Sequence, residues 1–257
     1  MRGKAGMFTS RTFLPSQYSG LTGWWDASDN ATLFDATTGG SPVAADGLVA
    51  RLEDKSGNAR HFTMSTSGFR PLRKTAVANN LDVIRFDGSN DYLENSARFR
   101  DVLTSTDGTV FVVASATAIS TDSADAYSNE TVLGTTGASS HGFVAFRSSG
   151  TAYSWGYYAP DDAYRTASRS YTQGTWALFT TVHGSSSLRF KINGGEEATA
   201  TLDFRSSWLS GPTMAIGLND SLFYFEGDVG EIAIYDVALS NSAIADIELY
   251  FTKKWGL

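Results

Sequence analysis

Glu226, Asp228 and Glu231 stand in the spacing Glu-x-Asp-x-x-Glu within Glu226-Gly-Asp-Val-Gly-Glu231. Two carboxyl groups held about 5 Å apart on one strand could serve a glycosidic bond as nucleophile and general acid. That chemistry needs an apolar wall to raise the pKa of the acid, and Gly227 and Gly230 supply little of one. The same residues also read as part of a strand running to Tyr235, in which Glu231 has a place without any reaction. Hydrolysis of a β-glycan by Glu226 and Glu231 is the alternative reading, and a non-enzymatic role the expected one.

A second group of residues suits binding. Trp155, Tyr157 and Tyr158, followed by Asp161, Asp162 and Tyr164, form a stretch that can stack on sugar rings while carboxylates accept hydroxyl hydrogen bonds. Tyr153, Trp155 and Tyr157 share one face of a strand, so the same residues can instead fill a sandwich interior. Asp87, Asn90 and Asp91 crowd one turn and offer hard oxygen donors to a calcium ion, the one cofactor the sequence suggests. Asp and Asn also favour turns by bonding their own backbone, and the spaced Asp-x-Asp-x-Asp-Gly loop is missing. His61, His141 and His183 are far apart in sequence, no Gly-x-Ser-x-Gly elbow occurs, and no glycine pair is followed by the Lys-Ser/Thr of a phosphate loop.

The elements that must position these groups are almost all strands. Val110-Phe-Val-Val-Ala114 is a continuous apolar run, as expected of a strand covered on both faces, and further candidates recur at intervals near the 8–12 residues typical of sandwiches. Leu188-Arg-Phe-Lys-Ile-Asn-Gly-Gly-Glu196 predicts a hairpin in which Leu188, Phe190 and Ile192 face inward and Asn193-Gly194 or Gly194-Gly195 turns the chain. In the closing strand Val229 and Glu231 alternate with Gly230, Ile232 and Ile234. A helix over 240–255 follows: Ser240 is a natural N-cap, Ile244, Ile247, Phe251 and Trp255 make one apolar stripe, and Gly256 supplies the stop. Trp24 and Trp25, adjacent in a strand, must point to opposite sides.

These segments carry a resemblance. The ending, in which a Gly-x-Ile/Val-x-Glu-x-x-x-Tyr strand precedes Ala-Leu-Ser and a closing helix, together with Leu21-Thr-Gly-Trp-Trp-Asp-Ala-Ser28, Asp54-Lys-Ser-Gly-Asn58 and Arg85-Phe-Asp-Gly-Ser-Asn-Asp-Tyr-Leu93, resembles the laminin-G-like, concanavalin A-type jelly rolls. The resemblance spans residues 21–257 and implies an all-β, two-sheet antiparallel sandwich with a short C-terminal helix. Such modules serve as lectins, adhesion domains, virion parts and glycanases.

Composition fits one β domain without staples. Aromatic residues make up 13% of the 257, glycine is plentiful at 25, and there is no cysteine, which excludes disulfides and thiolate chemistry. A net charge of −7 opposes nucleic-acid phosphates, and no apolar run is long enough to insert in a membrane. Residues 1–20 carry Arg2, Lys4 and Arg11 with scattered Phe8, Phe13, Leu14 and Tyr18, and read either as a frayed terminus or as an arm that docks on a neighbouring subunit. With no apolar stretch of secretory type near residue 1, the protein is expected in a virion assembled in the host cytoplasm. The resemblance extends to modules of bacteriophage particles and implies a decoration, fibre or tail-associated subunit, whose partners would be other virion proteins, copies of itself and host-surface glycans.

Overall fold

The closing strand, Glu226–Tyr235, is the spine of the architecture seen in a computed structural model that describes residues 13–104, 107–119, 130–137, 141–147, 150–158, 163–201, 212–221 and 223–257. On one side it pairs along its length with Gly108–Ala116. On the other, its first half pairs with Leu81–Asp87 and its second half with the opening strand Leu21–Asp26, so two strands sit in tandem along one edge. The sheet continues outward to Leu72–Ala78 at one end and through Ala177–Gly184 and Ser187–Ile192 to Ala198–Thr201 at the other. A second sheet of nine strands runs from Ala163–Ser170 through Thr151–Tyr158, His141–Arg147, Thr131–Thr135, Met214–Ile216, Leu93–Asn95, Phe62–Thr63 and Arg51–Leu52 to Leu33–Phe34. All pairings in both sheets are antiparallel, giving the expected sandwich.

Two apolar layers hold it. Between the sheets lie Trp25, Phe62, Phe86, Phe143, Phe146, Phe179 and Phe190, all essentially inaccessible. Each such side chain contributes roughly 1.5–3 kcal/mol of burial free energy. On the outer face of the first sheet a second layer gathers Trp24, Phe111, Val113, Leu178 and Tyr235 under the closing helix, Asn241–Trp255. Trp24 and Trp25 thus divide between the layers. Val110-Phe-Val-Val-Ala114 is apolar throughout for the same reason: Val110, Val112 and Ala114 face the interior while Phe111 and Val113 face the helix.

The helix begins and ends where its sequence requires. The Ser240 hydroxyl accepts from the Ala243 amide, and Gly256 adopts φ +71° as the left-handed cap, a conformation with no Cβ penalty for glycine. Ile244, Ile247, Phe251 and Trp255 are all buried, with Phe251 stacked on Phe111 and Trp255 on Trp176.

Two local expectations need correcting. The closing strand does not alternate evenly: Val229 lies opposite Ala114 and Glu231 opposite Val113, so Gly230 is an extra, bulged residue. Val229 therefore shares the interior with Ile232 and Ile234, while Glu231 turns to the helix side. A Cβ on Gly230 would lie 2.7 Å from the Trp255 ring, so only a residue without one lets that indole settle over the bulge. The hairpin after Leu188 also differs. Asn193 and Gly194 take the expected positive φ values of 51° and 65°, but Phe190 pairs with Ala198, so the connection is a wider loop than a two-residue turn.

Candidate functional site

The bulge decides what the three acidic residues of the closing strand can do. Glu231 is fully buried beneath the helix. Its carboxylate accepts hydrogen bonds from Trp24 Nε1 at 2.7 Å, Tyr250 Oη at 2.8 Å, Lys254 Nζ at 2.7 Å and Trp255 Nε1 at 2.9 Å. Lys254 also lies 2.8 Å from Asp26, which Lys55 reaches at 2.9 Å. Burial and the Asp26 charge push Glu231 up against the pull of Lys254 and Trp24. Burial acts on Asp26 in the same sense, but the ammonium of Lys254, the Ser28 hydroxyl and Lys55 outweigh it and hold that carboxyl below its ordinary range. Every acceptor of Glu231 faces protein, so its chemistry is that of a clamp joining the opening strand, closing strand and closing helix. Asp228 is likewise engaged, in a two-pronged pair with Arg85 at 2.7 and 2.8 Å.

Glu226, at the other end of the motif, stands elsewhere. It lies directly across from Asp87 in the antiparallel register and lines a cavity of about 390 Å³ together with Asp87, Asp91, Lys74 and Arg85. The structure thus brings together one member of the glycanase-like motif and two of the residues picked out for calcium, which the sequence alone does not associate. Asp87 Oδ1 accepts from the backbone N–H groups of Ser89, Asn90 and Asp91 at 2.8, 3.1 and 3.3 Å. Burial would raise its pKa, yet these three donors hold it below the usual carboxylate range. For Asp91, burial reinforced by the Asp87 charge outweighs a single backbone hydrogen bond from Asp87 and pushes it up to about 6. Asn90 belongs to the same turn through its amide. Among the described residues no three His, Cys, Asp or Glu side chains are grouped to hold a metal ion, and the Asp87 oxygen facing the turn is already saturated by donors.

Three neighbouring aromatic rings belong to stretches of chain that adjoin these acids in sequence or by backbone pairing. Phe69, 40% exposed, lies 6.1 Å from Tyr92, which lies 6.5 Å from Tyr224. Tyr92 adjoins Asp91 in the chain, and Tyr224 precedes Glu226 by two residues. Sequence reasoning missed this group and Arg85, Lys74 and Thr117, because each comes from a different strand or loop and no short spacing links them.

The remaining predicted residues are not gathered here. Thr151–Tyr158 and Ala163–Ser170 form an antiparallel pair with Trp155 opposite Thr166 and Tyr157 opposite Tyr164, next to Tyr158 opposite Ala163. Asp161 and Asp162 lie outside the described residues. Tyr153 is completely buried, but not between the sheets: Ala152 packs into the interior and Ser154 bonds Thr181 of the facing sheet at 2.7 Å, so Tyr153 points to the opposite side and meets Ala145. Of the expected arm, Phe8 lies outside the described residues. Phe13 and Tyr18 are half-buried 6.2 Å apart, and Leu14 is exposed. Tyr18 Oη donates to Asp246 at 2.6 Å and Tyr235 Oη to the Pro15 carbonyl at 2.8 Å, which ties this segment to the chain's own closing strand and helix.

A twisted sandwich with a bulged closing strand and a helix sealing its outer face is the architecture of a lectin-like β module. The chain belongs to the laminin-G-type family of the concanavalin A-like lectin/glucanase superfamily, whose model matches residues 87–245. No curated protein sequence matches it. Among solved structures, it is similar to the binding domain of Paraclostridial Mosquitocidal Protein 1, with 13% identity, 94% of this chain and 53% of that one covered and a TM-score of 0.62. It is also similar to the receptor binding domain of botulinum neurotoxin C/D mosaic serotype, with 13% identity, coverages of 90% and 51% and a TM-score of 0.57. A Trypanosoma rangeli sialidase matches at 10% identity over 92% of this chain and 33% of that one, with a TM-score of 0.54. The chain spans about half the length of the two toxin domains, and at these identities the similarity is one of fold. No helix among the described residues is long and apolar enough to cross a membrane.

Proposed function

We propose that the chain is a non-catalytic glycan-binding module, carried as a decoration, fibre or tail-associated subunit of a virus particle, and that it engages sugar hydroxyls at the cavity of Asp87, Asp91 and Glu226. The observation that carries the binding role is this cavity, whose carboxylates lie on stretches of chain adjoining those of the neighbouring rings Phe69, Tyr92 and Tyr224, the two kinds of group that sugar rings require. Against catalysis stands the confinement of Glu231, which leaves Glu226 without a second carboxylate from the motif. Trp155, Tyr157, Tyr158 and Tyr164 are proposed as a second stacking platform. The virion setting is supported by the resemblance of the sequence and by an acidic, cysteine-free composition suited to assembly in a reducing cytoplasm.

Retention on immobilised polysaccharides, compared for the unaltered chain, Asp91→Asn and Glu226→Gln, tests the binding role; loss of retention in both variants is expected. Laminarin, lichenan and agarose should remain uncleaved, and turnover that disappears in Glu231→Gln would overturn the non-catalytic reading. Sedimentation with purified shells tests the setting. A chain that stays monomeric, ignores shells and still binds polysaccharide is the free-standing carbohydrate-binding module instead.

A further inference from the structure

Lys254, in the last turn of the closing helix, is pressed between two acids. Its Nζ lies 2.7 Å from Glu231 Oε2 and 2.8 Å from Asp26 Oδ2, and the two acidic residues stand directly opposite each other on neighbouring strands. Like charges so placed destabilise a sheet, and here the Glu231 and Asp26 side chains are only 0% and 4% exposed. The walls are aromatic. Trp24, Tyr250 and Trp255 are buried, and Nζ stands 5.6 and 5.4 Å from the ring centroids of Tyr250 and Trp255. Asp26 has a second cation in Lys55 at 2.9 Å, which Asp29 shares at 2.7 Å.

An ammonium and a carboxylate in contact are the reactants of an amide. In water the pair stays ionic because both charges are well solvated. Burial removes that solvation and favours transfer of a proton from Nζ to Oε2, which leaves a neutral amine against a neutral acid. The upward push that burial gives the Glu231 carboxyl acts in the same direction. Nζ then has a lone pair for the Glu231 carboxyl carbon, Cδ. Charge that develops on Oε1 meets the Trp24 indole N–H at 2.7 Å and the Tyr250 hydroxyl at 2.8 Å, two fixed donors on one oxygen. Asp26, kept ionised against burial by Lys254, Ser28 and Lys55, accepts the proton that Nζ sheds and passes it to Oε2, which departs as water.

We propose that Lys254 and Glu231 condense, ε-amine to δ-carboxyl, into an amide that staples the closing helix to the closing strand, with Asp26 as the proton relay. The ion pair between them is the precursor. One C–N bond forms, one C–O bond breaks and one water leaves, so no oxidant or outside reagent is needed. The product exchanges a buried ion pair, costly to desolvate, for a neutral amide, and leaves Asp26 with Lys55 as its cation. The chain has no cysteine and therefore no disulfide to fasten these elements.

The test is the intact mass of the full chain, followed over several days at pH 7.5. Condensation makes the chain lighter than its sequence by one water, and protease digestion should release a branched peptide joining Glu231 to Lys254, read by fragmentation. Lys254→Arg keeps a cation in place without an amine able to condense, and should show the full sequence mass. Asp26→Asn removes the relay and should form the branched peptide at least about a hundredfold more slowly, because a positioned proton carrier contributes about 10²–10⁴-fold. If either variant fails to fold, the branched peptide from the unaltered chain decides alone. A full sequence mass with no branched peptide would overturn the proposal. So would a missing water that persists in Lys254→Arg or maps to a succinimide ring at an Asp-Gly step such as Asp87-Gly88. A branch from Asp26 to Lys254 would overturn the choice of Glu231 as acceptor.

Discussion

Glu231 and Asp91 are both carboxylates withdrawn from water, and they show opposite ways of being buried. Glu231 is surrounded by two indoles, a phenol and an ammonium, so its charge joins three elements into one unit. Asp91 sits beside Asp87 and Glu226 at the wall of a cavity, where burial and the Asp87 charge outweigh a backbone hydrogen bond from Asp87. A buried charge that is fully bonded is a structural device. One that burial and a neighbouring like charge hold against ionisation at a cleft is a perturbed group of the kind that collects at sites which act on something else. The two ends of one six-residue motif, Glu231 and Glu226, fall on either side of this divide.

The largest effects are expected under the helix. Glu231→Ala leaves two indole N–H groups and the Tyr250 hydroxyl without their acceptor and Lys254 with Asp26 alone, and losing one partner of a buried ion pair costs about 3–5 kcal/mol. Trp255→Ala should cost a similar amount, about 3–5 kcal/mol for a buried aromatic. Both are a large part of the roughly 5–15 kcal/mol that holds an ordinary domain together, so deletion of residues 251–257 should leave insoluble or protease-sensitive protein. Chemical denaturation of the point variants measures the loss; a midpoint unchanged in Glu231→Ala would refute the clamp.

How much of this could be read beforehand follows the same divide. The closing helix was legible in full because its signals are local: a capping serine, a stripe at helical spacing and a terminal glycine all act within one element. The two-sheet sandwich was legible from strand recurrence and the family resemblance. The bulge was not. One extra residue reverses side-chain parity, and nothing in Val-Gly-Glu distinguishes a bulged glycine from a paired one until Trp255, twenty-five residues later, occupies the space. Tyr153 escaped for a related reason, since strand alternation states which residues share a face but not which face is inside. The cavity was legible only in fragments, as an acidic turn and as half of a catalytic-looking motif, because the pairing of Asp87 with Glu226 is a contact between residues 139 positions apart.

A smaller effect sharpens the part played by the bulge. Gly230→Ala places a methyl group against the Trp255 ring, where a Cβ would stand 2.7 Å away. Overpacking of this kind costs typically about 1–3 kcal/mol. Pairing it with Trp255→Ala should remove most of the penalty, because the collision then has no second partner. A double variant as unstable as the sum of the two would show that Gly230 is needed for its backbone and not for the room it leaves.

At the cavity the sign reverses and the magnitude falls. Asp91 has a folded-state pKa near 6, above the ordinary aspartate value of 3.8, so the native state holds its proton more tightly than the unfolded chain does. Its ionisation therefore opposes folding: the penalty is absent below about pH 4, grows as pH rises towards 6 and is fully present above that. Asp91→Asn abolishes the charge while keeping the shape, and should raise stability at pH 7.5 by about 1–2 kcal/mol, the shift corresponding to about 3 kcal/mol before allowance for solvent reaching the cavity. At pH 4 the variant and the unaltered chain should melt alike. Glu226→Gln, at the accessible lip of the same cavity, should stay within about 0.5 kcal/mol at either pH. A destabilised Asp91→Asn at neutral pH would mean that the carboxylate is already satisfied within the fold, and Asp91 would then stand with Glu231 as a structural acid rather than opposite it.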